Sequence, residues 1–315
     1  MTEKLNGSDM STPFPLVDVP LVRDANGHIL NAMTVDVEEY FHAHALEHYF
    51  TRDTWPGLER RVVDKTKELL DLFDAHDTKA TFFTLGSVAR EFPALVQDIV
   101  QRGHELASHG LEHYRASEQD PETFRRDVSE AKKALEDAGG VAVNGYRAAS
   151  FSIDRENWWA FDVLEETGHT YSSSVSAGKF MGSDIATPAA PFRPGAGRLV
   201  ECPISTVSML QKDVPTGGGY FRLAPYGMFR KALRRTHETS ARPANFYFHP
   251  WEIDVGQPRA KVPLKTRFRH TVNLARMKGK VARALSDFKW GRMEDVFGQA
   301  FKASPAPTIE EEAKR

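Results

Sequence analysis

Apolar residues recur along this chain in two alternating rhythms. Asn31-Ala-Met-Thr-Val-Asp36 is short, apolar and β-prone, which predicts a buried strand over 31–36. Leu58, Val62, Leu69, Leu70 and Phe73 then fall at helical spacing and predict a helix over 58–73 with one core face. Lys79 to Leu85 returns to strand, Phe92 to Arg102 to helix, and Glu105 to Ala107 to strand. Pro121 to Ala138 predicts a long helix, opened by a proline near its first turn and ended by Gly139-Gly140. Strands follow over 144–148, 169–171, 199–203 and 245–249, with helices over 156–166 and around 226–236. Alternation of this kind predicts an α/β protein with a mostly parallel sheet flanked by helices. At this length a closed or partly closed (β/α) barrel is the economical arrangement.

The rest of the chain breaks the rhythm. Residues 1–30 form an irregular, proline-containing arm, and 177–198 read as a long loop rich in Gly and Pro. From Arg259 to Met293 eleven Lys or Arg face one acid, Asp287, while Leu274, Met277, Val281, Leu285 and Phe288 keep a 3-4 spacing. That is an amphipathic helix, expected to dock on the barrel with a basic solvated face. Contact with an acidic polymer, or peripheral contact with anionic lipid heads, is its functional alternative. Residues 301–315, rich in Pro, Ala and Glu, are expected to be a disordered tail.

With 41% hydrophobic and 27% charged residues the chain has the composition of a soluble globular protein, and a net charge of −2 does not suggest nucleic acid as a partner. Cys202 is the single cysteine, which excludes an intrachain disulfide and a multi-cysteine metal site. No apolar run is long enough to span a bilayer, and Met1 to Met10 lacks the pattern of a signal peptide. A cytoplasmic location is the resulting expectation; the oligomeric state, homo-oligomer included, is left open.

Chemistry concentrates at two strand ends. The first runs out in Asp36-Val37-Glu38-Glu39, and an extended backbone puts Asp36 and Glu38 on one face. The third leads through Ser108 into His109-Gly-Leu-Glu-His113, two histidines at a spacing that one helical turn would align. Two imidazoles and a carboxylate suit zinc and leave it an open position, and a spare carboxylate nearby suits a general base. Glu39 replaces Glu38 as the ligand if the strand bulges. His42, His44 and His48 hint at a second metal but read as helix and rim residues, with His42 near substrate. Gly217-Gly-Gly219 lacks the Gly-Lys-Ser/Thr of a phosphate loop and is expected to shape the cleft.

These motifs resemble the polysaccharide deacetylase family, carbohydrate esterases with a NodB-like domain, and within it the branch found beside exopolysaccharide and exosortase (PEP-CTERM) loci. The resemblance runs from about Asn31 to Phe297. It is carried by Thr-Val-Asp36-Val-Glu38-Glu-Tyr-Phe, Lys79-Ala-Thr-Phe-Phe-Thr-Leu-Gly86, Gly103 to His113, Gly145-Tyr-Arg147-Ala-Ala-Ser-Phe-Ser152, Gly217 to Leu223 and Phe246-Tyr-Phe-His249-Pro-Trp-Glu-Ile-Asp254. It implies a distorted (β/α) barrel over 31–258, and the basic helical extension over 259–300 is the one typical of that branch.

The resemblance also implies roles. Asp36 matches the base, His109 and His113 the metal histidines, Arg147 the arginine that orients the base, and His249 the acid that protonates the leaving amine. Where the common members place the metal aspartate directly after the base this chain has Val37, so the ligand falls to Glu38. The implied cofactor is zinc, with cobalt or nickel able to replace it, and the implied reaction removes N-acetyl groups from a polysaccharide or its lipid-linked precursor. A backbone N–H near Ala148 is expected to hold the oxyanion, and Tyr146, Tyr220 and Trp251 to stack on sugar rings. One departure stands out: the family's Tyr-Asp-Ser-Ser is here Tyr171-Ser172-Ser-Ser174. Either Glu252, Asp254 or Asp184 replaces the missing aspartate beside His249, or His249 is a weaker acid. An allantoinase-like amidohydrolase acting on a small cyclic amide, and a non-catalytic carbohydrate-binding relative, are the competing readings.

Overall fold

The computed structural model describes residues 14–176, 187–209 and 212–302 of the chain. Its hub is strand β1 (Leu30–Val37), buried at every position after the first. Side chains alternate along it. Met33, Val35 and Val37 enter the core under the surrounding helices, while Ala32, Thr34 and Asp36 point into the interior of the barrel.

The remaining strands are β2 (Thr81–Thr84), β3 (Glu105–Ser108), β4 (Gly145–Tyr146), β5 (Tyr171–Ser172), β6 (Val200–Glu201), the hairpin β7 (Thr206–Met209) and β8 (Lys212–Pro215), β9 (Asn245–Phe248) and β10 (Lys289–Gly291). β1 pairs in parallel with β2, β9 and β10, and the sheet continues in parallel from β2 through β3, β4 and β5 to β6. No ladder joins β6 to β9 among the described residues. Asn245 bridges the gap instead, donating its amide to the carbonyls of Cys202 (3.0 Å) and Pro203 (3.2 Å) and to Ser173 Oγ (3.0 Å). A polar side chain thus completes what the backbone leaves open, and the α/β class and distorted barrel expected from the sequence are the observed architecture.

Helices α1 (Val62–Ala75), α2 (Gly86–Glu91), α3 (Pro93–Gln101), α4 (Pro121–Gly139), α5 (Ala160–Glu166), α6 (Gly218–Leu223), α7 (Tyr226–Ser240), α8 (Leu264–Thr271), α9 (Leu274–Asp287) and α10 (Met293–Lys302) complete the fold. Local rules explain their ends. Asp120 accepts the Thr123 N–H at 2.8 Å to open α4, Pro121 occupies its first turn, and Gly140 closes it at φ +66°.

The basic stretch after residue 259 is more than a helical extension laid on the barrel. α9 does bury Leu274, Met277, Val281 and Leu285, as its spacing predicts. The same stretch also supplies β10 to the sheet, and α10 packs Met293, Val296, Phe297 and Ala300 against Ala32, Phe83 and Ala107 inside the barrel. Phe301 stacks on Tyr171 at 4.2 Å, so the first residues of the expected tail are helical; 303–315 lie outside the described residues, as do 1–13 of the arm and 177–186 of the long loop. β10 escaped the sequence reading because three residues inside a basic run carry no period.

Candidate active site

The interior of the barrel changes character along its axis. α10 fills the end where β1 begins, and polar groups gather where β1 finishes. Arg147, completely buried, lies between the two. It donates to Ser173 O (3.0 Å), Ser173 Oγ (2.9 Å), Thr34 Oγ1 (2.7 Å) and Asp36 Oδ1 (2.6 Å), with its guanidinium 4.0 Å from the centre of the Phe83 ring. Asp36 is therefore held by one oxygen, while the other, Oδ2, faces His249 Nε2 at 3.8 Å.

Two residues on, Glu38 meets the histidines. Its Oε2 is 2.7 Å from His113 Nε2 and 3.6 Å from His109 Nε2, and all three residues are buried. These donor atoms lie within 4.8 Å of one another, the one such group among the described residues. His109 Nδ1 lies 2.8 Å from the Arg147 carbonyl, a contact that requires the proton on Nδ1 and leaves the Nε2 lone pair facing the cluster. Burial holds His113 below its ordinary value against the pull of Glu38, which favours the neutral, ligating imidazole. Burial works against ionising Glu38, but His113 and His249 outweigh it and hold the carboxyl well below the usual range. Two neutral imidazoles and a carboxylate on one centre fit a divalent metal ion such as zinc.

The histidine pair does not ride on a helical turn, as its spacing suggested. Residues 109–115 are irregular, Gly110 has φ +79° and His113 itself φ +59°. Two left-handed turns, not one helical face, bring the rings together, and neighbouring side chains fix them. Arg52 donates to the carbonyls of Glu112 (2.7 Å) and His113 (2.9 Å), and Asp127 accepts the Leu111 N–H at 3.1 Å. Burial pushes Asp127 up to about 6. Asp127 was legible in principle, since it shares the apolar face of α4 with Phe124 and Val128; Arg52 carried no such signal.

Glu39 turns away from the cluster. Its carboxylate accepts the N–H groups of Arg61 (3.0 and 3.1 Å) and Val62 (3.2 Å) at the start of α1, while its own N–H donates to His42 Nδ1 at 3.2 Å. His42 stacks on His113 with ring centres 5.1 Å apart. His44 and His48 are exposed beside Glu47 and join no metal-holding group.

His249 and Glu252 form the opposite wall. Glu252 Oε2 is 3.1 Å from His249 Nδ1, and its Oε1 is 3.3 Å from Arg222 Nη1. Burial opposes the charge on His249, but Glu38, Glu252 and Asp36 raise it to about 9. Burial likewise opposes ionising Glu252, and Arg222 and His249 lower its value below the ordinary one. Of the three carboxylates considered as replacements for the missing aspartate, Glu252 is the one beside the imidazole. Asp254 is engaged by Arg61 at 2.9 Å, and Asp184 lies outside the described residues. Ser172 meets Ser174 Oγ at 2.7 Å instead.

A cavity of about 350 Å³ joins these walls, lined among others by Asp36, Glu38, His109, His113, His249 and Tyr220. Trp251 lines it too, but the indole is packed between His249 (4.9 Å) and His270 (4.8 Å) and donates to Glu38 Oε1 at 3.0 Å. Tyr146 does not belong here. It is 1% exposed and packs on Phe124 and His169 in the core, because β4 turns it outward where Arg147 turns in. In the stretch expected to supply the oxyanion donor, the Ala148 N–H itself is given to Ser174 Oγ at 3.0 Å. Gly219 of the same run lines the cavity, and Gly217 passes so close to Tyr247, another lining residue, that a β-carbon would collide with its carbonyl oxygen.

A three-donor metal cradle, a free carboxylate oxygen and a half-buried imidazole around one cavity define a hydrolase-type site on a distorted β/α barrel. The family comparisons divide the chain through it. Residues 47–172 match the polysaccharide deacetylase family, and residues 172–298 match a domain of unknown function (DUF3473). His109, His113 and Arg147 come from the first region, His249 and Glu252 from the second.

Among curated proteins, a chitooligosaccharide deacetylase of Sinorhizobium fredii is 30% identical over 142 residues, 45% of this chain and 60% of that protein. A peptidoglycan-N-acetylglucosamine deacetylase of Bacillus cereus is 27% identical over 222 residues, 63% of this chain and 76% of that protein. The chain thus spans about three fifths of the rhizobial relative's length. A crystal structure from Mycobacterium smegmatis, provisionally described as a polysaccharide deacetylase, shares the fold at TM-score 0.58 and 21% identity, covering 93% of this chain and 98% of that one.

Proposed function

We propose that this protein is a metal-dependent N-deacetylase that hydrolyses the acetamido groups of N-acetylhexosamine units in an exopolysaccharide or its precursor. The observation that carries the reading is the placement of Asp36 Oδ2 and His249 Nε2, 3.8 Å apart, beside the Glu38–His109–His113 cluster. A base and an acid on one side of a metal cradle are what amide hydrolysis needs.

Glu38, His109 and His113 would hold the metal, which when bound polarises an acyl carbonyl and acidifies water. Asp36, restrained through Oδ1 by Arg147, keeps Oδ2 free to take the proton of the attacking water. His249, kept cationic against its burial by Glu38, Glu252 and Asp36, presents Nε2 to protonate the departing amine. Trp251 fixes both the His249 ring and Glu38 through one indole. Tyr220, 40% exposed at the cavity, is the side chain we assign to sugar stacking, with His42 at the opposite rim.

Acetate release from N-acetylglucosamine oligomers tests this. Release that a chelator stops and zinc restores supports it. Purified protein containing one metal per chain that releases no acetate from any N-acetylated oligomer overturns it.

A further inference from the structure

Between Asp254 and Asp287 the chain holds nine Lys and Arg and no acidic residue. Lys278 pairs with Glu68 at 2.7 Å, and Lys280 donates to the carbonyls of Phe221, Arg222 and Ala224. The other seven, from Arg259 to Arg283, have no carboxylate partner among the described residues, whereas Arg60, Arg61, Arg90 and Arg102 elsewhere are all paired. On α8 this charge surrounds two large apolar side chains one turn apart, Leu264 (74% exposed) and Phe268 (60% exposed). Beside it runs a groove of about 560 Å³, lined by Pro225, Tyr226 and Asn273 with Arg276, Lys280 and Arg283, and by no carboxylate. Leu223, 44% exposed, lines both this groove and the active-site cavity, and Arg269 of α8 lines the cavity as well.

The geometry points to this face as a seat on an anionic lipid bilayer, with Leu264 and Phe268 entering the boundary between headgroups and acyl chains and the unpaired cations taking lipid phosphates. An acidic polysaccharide would satisfy the cations but offers nothing to the two exposed apolar side chains; a bilayer satisfies both. The face adjoins the catalytic cavity, so a membrane-attached acceptor would meet the site directly. That last clause rests on the deacetylase reading, while lipid binding itself does not.

The test is co-sedimentation of the full zinc-loaded chain with vesicles of phosphatidylglycerol and phosphatidylcholine in equal parts, and with phosphatidylcholine alone. The variants are Leu264→Ser/Phe268→Ser and Lys265→Glu/Arg267→Glu, and deacetylation of soluble oligomers is read in parallel. Binding to the anionic vesicles alone is expected, weakening as salt rises from about 0.1 to 0.5 M and falling about tenfold or more in either double variant. Activity on soluble oligomers should stay at the wild-type level, which shows that the variants fold. Failure to bind anionic vesicles overturns the proposal. So does equal binding by wild type and Leu264→Ser/Phe268→Ser, which with competition by alginate would assign the face to a soluble polyanion. Inactivity of every protein on oligomers, with vesicle binding intact, would count against the deacetylase reading alone.

Discussion

Glu252 Oε2 lies 3.1 Å from His249 Nδ1, three residues along the same helical turn, and Arg222 lies behind it. One of the carboxylates that charge His249, the proposed acid, is thus local in sequence, while the position where the family has its aspartate, Ser172, faces another serine. His249 and Glu252 both belong to the region matching the domain of unknown function, so that region contributes to the site rather than decorating it.

Glu252→Gln should lower kcat/KM by about 10²-fold at neutral pH, the scale of general acid catalysis. The sign of its pH effect follows from the charge removed. Glu252 is one of the carboxylates that raise His249 to about 9, so its loss lowers the histidine's value toward 6.5. The acid form is then lost at lower pH, and the alkaline limb of the pH–rate profile moves down. An unchanged limb would show that Glu252 does not set the acid.

Restoring the family's aspartate should not help. Ser172 is completely buried and lies against Glu201, whose carboxyl burial already pushes up to about 7. Ser172→Asp would place a second carboxylate there, and the nearby cation, Arg147, is already paired with Asp36. The expectation is a loss of several kcal/mol in denaturant unfolding and no gain in turnover. A variant faster than wild type and equally stable would return the role to this position.

These outcomes mark where sequence reasoning reached and where it stopped. The alternation of strands and helices was visible because buried strands and one-faced helices carry periods of two and 3.6. Asp36 and Glu38 could be placed on one face for the same reason. The conformation of 109–113 could not, because a left-handed φ at His113 leaves no mark on spacing. Tyr146 and Trp251 looked alike as aromatics beside site residues. The inward turn of Arg147 makes Tyr146 core, and the indole's bond to Glu38 makes Trp251 a positioning group.

Glu38 and Glu39 are expected to separate in experiment. Glu38→Gln removes the anionic donor from the cluster and should reduce zinc content well below one per chain, with activity falling in step. Glu39→Gln leaves the cluster intact and weakens the cap on the first N–H groups of α1, for a loss of about 1 kcal/mol with zinc content retained. Metal analysis and thermal unfolding of the two variants provide the check. Loss of metal in Glu39→Gln with retention in Glu38→Gln would exchange the roles.

Asp36→Asn probes the base apart from its scaffold. The amide oxygen can still accept from Arg147, so the barrel interior should persist, but the buried guanidinium loses its counter-charge. Breaking such a pair costs about 3–5 kcal/mol when one partner is removed outright, and retention of the hydrogen bond places the asparagine variant below that range. Zinc content should be unchanged, because Asp36 is not among the three grouped donors. Turnover should fall by about 10³-fold or more, since the amide cannot take a proton from water, and in this respect it differs from Glu252→Gln, which weakens an acid without removing it. The two substitutions also part in their pH dependence: Glu252→Gln shifts the alkaline limb, whereas Asp36→Asn should lower the whole profile. Full zinc occupancy with wild-type turnover in Asp36→Asn would remove Asp36 from the chemistry and leave it a partner of Arg147 alone.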